Sequence, residues 1–156
     1  MLSVQVSDIA VFMKYFLSTD TFDFLNAIEV TVSTYCDFKI DGRHNVKYFD
    51  SDNVPESEFV TWGKIRPICH ELIKGKTLPL KMAFVLSLPG DMTDKLLSEN
   101  GYKYPQNSID FLINVRYENG QVSLINASNL KTFIPDKSFE TLWDTVFTKE
   151  ISKYNF

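Results

Sequence analysis

The chain has 156 residues, among them 13 Phe, 7 Tyr and 2 Trp, so that aromatics make up 14% of it and charged residues 23%. A chain of this length folds as one domain and buries about two-thirds of its unfolded surface; residues 1–156 are therefore read as a single globular domain whose core needs neither disulfides nor metal, and the aromatic load excludes disorder. The net charge of −4 argues against a general nucleic-acid binder, which needs a basic face.

Taken in chain order, Ser7 or Asp8 caps a first helix running to about Leu17, with Ile9, Phe12, Met13, Phe16 and Leu17 at helical spacing. From Ile28 the period becomes two. Ile28, Val30, Val32, Thr34, Cys36, Phe38 and Ile40 share one face, which predicts a long half-buried strand, bent near Tyr35. Asp41-Gly42 reads as a hairpin turn, with a weaker strand from Arg43 to about Phe49. After a polar loop over Asp50–Pro55, a second helix ends at Gly75; with Gly63 and Pro67 weakening its interior, its regular part is predicted to begin near Ile65. Leu80, Met82, Phe84, Leu86 and Leu88 mark a third strand. Asp91 or Thr93 caps a short helix closed by Asn100-Gly101.

Ile109–Tyr117 and Gln121–Asn129 flank Asn119-Gly120, the signature of a type I′ hairpin that pairs Tyr117 with Val122, Val115 with Leu124 and Asn114 with Ile125. Asp136 caps a last helix, in which Phe139, Leu142, Trp143, Val146, Phe147 and Ile151 form one apolar stripe. The expected fold class is α+β: an antiparallel or mixed sheet of about five strands, including two hairpins, packed against about four helices. The nominal outer faces of the later strands carry Ala83, Val85, Leu112, Ile125 and Ala127. Either helices cover both sides of the sheet or this face meets a partner, and with four helices available intramolecular cover is the expectation.

Few motifs carry chemistry. The six glycines lie too far apart for a phosphate-cradling loop, and no nucleophile elbow or zinc-binding His pair is present. Cys36 and Cys69 have no metal-site spacing and read as reduced thiols, Cys36 pointing into the core and Cys69 on the apolar side of its helix. Apolar runs are too short for a membrane span, and Met1-Leu2-Ser3-Val4 lacks the layout of a secretory leader; the predicted location is the cytoplasm. Charge is uneven along the chain. Residues 1–60 hold ten acids and four bases, whereas residues 61–82 hold Lys64, Arg66, Lys74, Lys76 and Lys81 against Glu71 alone.

Arg66, His70 and Lys74 fall at i, i+4 and i+8 on one helix face, with Lys76 beyond, a stripe able to hold an anion. The same charges also suit the helix dipole without any ligand. Arg43, beside His44 in the Asp41-Gly42 turn, and Arg116, with Asn114 and Ser123, are lesser candidates.

The strings Ile40-Asp41-Gly42-Arg43, Trp62 through Arg66-Pro67, Ile73-Lys74-Gly75-Lys76, Asn114-Val115-Arg116-Tyr117, Asp136-Lys137 and Trp143-Asp144 resemble an uncharacterised bacterial family of Firmicutes, classed as a domain of unknown function. The resemblance covers nearly the whole chain. It implies a stand-alone bacterial cytoplasmic domain and brings no activity, cofactor or catalytic residue.

The expected function is a non-enzymatic binding or protein-interaction domain that presents Arg66, His70, Lys74 and Lys76, with Arg43 and Arg116, to an anionic small molecule or an acidic protein. No cofactor, metal or membrane contact is expected, and a homodimer is compatible with the sequence. The alternative is a small enzyme with a site assembled around His44, Cys69 or His70. A third reading places a small apolar molecule between the sheet and the last helix.

Overall fold

All four helices lie on one side of a six-stranded antiparallel sheet in the computed structural model, which describes residues 1–156. The elements follow one another as β1 (Ser3–Gln5), α1 (Ile9–Ser18), β2 (Asn26–Ser33), β3 (Asp37–Asp41), α2 (Trp62–Ile73), β4 (Lys81–Ser87), α3 (Gly90–Glu99), β5 (Ile109–Glu118), β6 (Gln121–Leu130) and α4 (Ser138–Ile151). The strand order is β1-β6-β5-β4-β2-β3, every neighbouring pair antiparallel. The fold is α+β as expected. The sheet has one strand more than expected because β1, three residues long, is too short to show a period.

The long alternating run from Ile28 to Ile40 is two strands. β2 and β3 pair through Ser33↔Asp37, Val32↔Phe38 and Val30↔Ile40. Thr34-Tyr35-Cys36 forms the turn, where Thr34 N–H donates to Cys36 O at 3.0 Å and Ser33 Oγ donates to Asp37 Oδ1 at 2.6 Å. Cys36 therefore sits exposed at a hairpin tip and not in the core. Asp41-Gly42 is not a turn. Gly42 is buried where the chain runs against β2, its N–H donating to Ile28 O at 2.9 Å. A side chain there would meet Ala27 O at 1.7 Å, so close backbone approach demands the glycine. The strand expected over 43–49 is absent, and a single 3₁₀ turn occupies Val46–Tyr48.

The Asn119-Gly120 hairpin has the expected register, Tyr117↔Val122, Val115↔Leu124 and Asn114↔Ile125, with both turn residues at positive φ (53° and 72°). Asp8 caps α1 by accepting from Val11 N–H at 3.1 Å. The N-cap of α4 is Lys137 and not Asp136, which stands one residue earlier and accepts from Ser138 N–H at 3.0 Å. α2 begins at Trp62, earlier than Ile65, with Pro67 inside it. Trp62 explains the early start, being a fully buried anchor whose Nε1–H donates to Phe16 O at 3.1 Å.

The register sorts side chains onto the two faces. Val30, Val32, Met82, Phe84, Leu86, Val115, Leu124 and Phe111 share the helical face. α1 and α2 reach it through Phe16 and Trp62, both against Phe84 at 5.0 and 5.5 Å between ring centroids. α4 reaches it through Trp143, stacked on Phe111 at 4.8 Å, and α3 through Leu97. The C-terminal tail closes over α1, with Phe156 on Phe12 at 5.1 Å and Tyr154 on Tyr15 at 5.2 Å. The buried Asn126 joins three elements: its Oδ1 accepts from Leu2 N–H at 2.6 Å and its Nδ2 donates to Asp144 of α4 at 2.7 Å. The opposite face of the sheet carries no helix. The expectation of intramolecular cover for Ala83, Val85, Leu112, Ile125 and Ala127 is thereby corrected, since each α element has its apolar stripe on the other side.

Candidate functional site

The basic residues singled out in the sequence fall in three separate places. Arg66 turns inward, its Nε donating to Asp23 Oδ1 at 2.6 Å and its NH2 to Asp23 Oδ2 at 2.9 Å. A longer contact of 3.4 Å runs from NH1 to Leu17 O, so the side chain ties α2 to the loop after α1. This two-bond pair with Asp23 outweighs partial desolvation and raises the guanidinium pKa further. His70 is half-buried, and Lys74 bonds Glu71 at 2.6 Å, which lowers the Glu71 pKa, first through that hydrogen bond and then through its charge. Arg43 pairs with Glu58 at 3.0 Å and lies over the Phe59 ring at 5.5 Å. Arg116 is exposed on the helix-free face of β5, opposite Ala83 and Ser123.

Of this set only Lys74 and Lys76 share a concavity. It is a cleft of about 510 Å³ between the C-terminal end of α2 and the β2–β3 turn, rimmed by Tyr35, Leu78 and Leu80, which are 90%, 74% and 72% exposed. The carbonyl end of a helix points partial negative charge into this region, which opposes the lysines in holding an anion.

The residues of the enzymatic alternative do not come together either. Cys69 is fully buried, and burial pushes its thiol up to about 12, which removes it as a nucleophile at neutral pH. His44 Nδ1 lies 2.7 Å from Ser57 O, and so carries the proton that bonds this carbonyl and holds the 43–59 loop in place. No group of three or more His, Cys, Asp or Glu side chains is placed to hold a metal ion.

A different concavity is built into the helical layer itself. The apolar side chains beneath the helices divide into two clusters, a larger one under α1 and α2 and a smaller one under α3 and α4. Leu88 and Ile113 touch both clusters, yet they are only half-buried, while Leu86, Phe111 and Val115 beside them are 1%, 0% and 2% exposed. The helices leave a seam above these two residues. It has a volume of about 420 Å³, and 12 of its 15 lining residues are hydrophobic. Phe22, Phe24 and Leu25 of the loop after α1 form one wall, Met92 and Leu96 of α3 another, and Trp143, Val146 and Phe147 of α4 the third.

Phe24 and Met92 at the rim are 46% and 41% exposed. Lys95, Glu99 and Glu150 supply the charge at the mouth, the first two 3.9 Å apart and Glu150 held by Lys153 at 2.6 Å. Such a site, mostly apolar with a few polar groups at its edge, suits a small amphiphile in size and chemistry. Sequence reasoning reached the space between sheet and last helix but missed Phe22, Phe24, Met92 and Leu96. The available signal was an apolar run, Phe22 to Leu25, in a segment with neither helical nor strand period.

A family of unknown function, DUF5721, matches residues 15–156, and the chain belongs to it. Neither curated proteins nor solved structures give a match. No helix is long and apolar enough to cross a membrane.

Proposed function

We propose that this member of the family is a non-enzymatic binding domain whose site is the seam between the α1–β2 loop, α3 and α4. The observation that carries this reading is the seam floor. Leu88 and Ile113 are central sheet residues that a closed helical layer would bury, as it buries their neighbours. Burying apolar side chains stabilises by about 25 cal/mol per Å², so a half-open floor forgoes stability that an apolar ligand restores. The ligand class is an amphiphile with an aliphatic or ring body in the seam and a polar end beside Lys95 and Glu150. The two unpaired thiols support a reducing, cytoplasmic setting.

The reading of the basic residues as an anion site rests now on Lys76 with Lys74, itself bonded to Glu71, because Arg66 is held by Asp23 and Arg43 by Glu58. The two sites are separated by one experiment. Medium-chain saturated fatty acids, titrated during thermal unfolding, are expected to stabilise the protein by about 2.7 kcal/mol at one hundred times Kd. Ile113→Phe, which fills the seam floor, abolishes the shift, and Lys74→Ala with Lys76→Ala preserves it. Loss of the shift in the lysine variant with retention in Ile113→Phe would move the site to the end of α2.

A further inference from the structure

We infer that the seam takes an amphiphile whose one polar end is a cation, an alkylammonium or quaternary ammonium head held at the mouth beside Phe24, Glu99 and Glu150. The inference rests on the seam being the binding site and adds the chemistry of the head. Within the apolar walls the one side-chain N–H is that of Trp143, which already donates to Leu112 O at 3.3 Å. The other polar lining residues are Lys95, Glu99 and Glu150 at the mouth and Tyr154. No group at the floor is free to pair a hydroxyl or a charge, and burying either without a partner costs affinity. The deep end of the ligand is therefore hydrocarbon, and its head stays at the mouth.

The mouth selects the sign of the head. Glu99 is the last residue of α3, and Glu150 stands one residue before the end of α4. Two helices thus bring their negative ends, each equivalent to about half an elementary charge, and one carboxylate apiece to the same opening. The counter-charges are unequal. Glu150 is held by Lys153 at 2.6 Å, whereas Glu99 meets only Lys95, at 3.9 Å and in the Lys-before-Glu order that is the weaker one on a helix. With both lysines counted the formal charges cancel, and the helix ends leave the mouth negative. Aromatic faces add to this. Phe24, 46% exposed, lines the seam together with Phe22 and Tyr154, whose rings lie 5.5 Å apart. Aromatic rings attract cations, and quaternary ammonium heads are bound in this way. A carboxylate head would have Lys95 alone to meet, beside two carboxylates.

Titration calorimetry of the full chain, below the micelle concentration and at low ionic strength, compares decyltrimethylammonium with decanoate, ligands of equal chain length. The ammonium ligand is expected to bind about tenfold more tightly. Glu99→Gln combined with Glu150→Gln is expected to bring the two within about twofold. Glu118→Gln, which removes an exposed acid at the end of β5, is expected to keep the full preference. That variant separates a head-group site from the general attraction of a cation to a chain of net charge −4. Ile113→Phe is expected to abolish binding of both. If Ile113→Phe fails to fold, Phe24→Ala at the exposed rim still decides, by weakening the ammonium ligand more than decanoate. Equal affinities in the wild type, or a preference that survives loss of both glutamates, overturn the cationic head and leave the seam as an amphiphile site. Ammonium binding that persists in folded Ile113→Phe also overturns it. Binding of neither ligand overturns the seam reading as well.

Discussion

Two clefts of similar size differ in what lies beneath them. The one at the end of α2, about 510 Å³, has half-buried Phe38, Leu72 and Ile73 at its base and a rim that already faces water, with Tyr35 at 90% exposed. Only 6 of its 12 lining residues are hydrophobic, against 12 of 15 in the seam, so filling it removes less apolar surface from water. The seam between α3, α4 and the α1–β2 loop, about 420 Å³, reaches down to the sheet. Its floor consists of residues in line with the most deeply buried positions of β4 and β5. Volume ranks the two one way and the apolar character of the lining ranks them the other. The lining decides, because the driving force for occupying a cleft follows the apolar area removed from water.

The contrast between closed and open parts of the helical layer is tested most strongly by truncation. Phe16 is 2% exposed and packs between Trp62 and Phe84, so Phe16→Ala is expected to cost about 3–5 kcal/mol in urea unfolding. Ile113→Ala, at the seam floor, is expected to cost less than half of that. Equal losses would mean that the seam is closed in solution. Next in size is Asp23→Ala, which leaves the guanidinium of Arg66, 20% exposed, without its carboxylate partner. The expected loss is about 1–2 kcal/mol, allowing for solvent screening. A loss of this size accompanied by unchanged fatty-acid binding would place Arg66 in the scaffold and not in the site.

A smaller, pH-dependent effect comes from Cys69. Its thiol is raised by burial from an ordinary 9.0 to about 12. Above pH 9 the unfolded chain loses a proton that the folded chain keeps, so the stabilising contribution is complete below pH 9. It is lost by about 1.4 kcal/mol per pH unit as pH rises toward 12. Cys69→Ala is expected to flatten this part of the alkaline limb, as read by urea titrations at pH 8, 9 and 10. A limb of the same slope in the variant would show that the thiol ionises inside the fold.

Much of the scaffold is legible in the sequence, and the places where it is not have a common cause. The Asn119-Gly120 hairpin reveals itself because a two-residue turn reverses the phase of the alternation, pairing odd Tyr117 with even Val122. The three-residue turn at Thr34–Cys36 preserves the phase, pairing Val32 with Phe38 and Val30 with Ile40. Thirteen residues with unbroken alternation therefore read identically as one long strand or as a hairpin, and the one-strand reading puts Cys36 in the core when it lies at the exposed tip. A strand running through Tyr35 also makes Asp41-Gly42 look like its turn, whereas the role of Gly42 is close approach to Ala27.

The helical stripes are legible, but periodicity says which face of a helix is apolar and not which side of the sheet it meets. That is why the sequence leaves both a covered and an uncovered second face open, and why intramolecular cover, the expectation from four helices, is not what the fold has. The candidate site was less legible still. Its walls come from four segments spread between Phe22 and Tyr154. A gap between clusters depends on how those segments pack, which no local pattern records. The charged stripe on α2 was visible because it is local, and its first member proved to be occupied by Asp23, 43 residues away.

The two tryptophans offer the most direct test of the seam. Trp143 lines it, and Trp62 lies in the closed half, absent from its walls. In Trp62→Phe, with Trp143 as the sole reporter, a medium-chain fatty acid carrying a terminal bromine is expected to quench fluorescence saturably. Adding Ile113→Phe is expected to abolish that quenching, and Trp62 alone, in Trp143→Phe, is expected to show none. Absence of saturable quenching of Trp143, or equal quenching of both tryptophans, would contradict the assignment of the seam as the binding site.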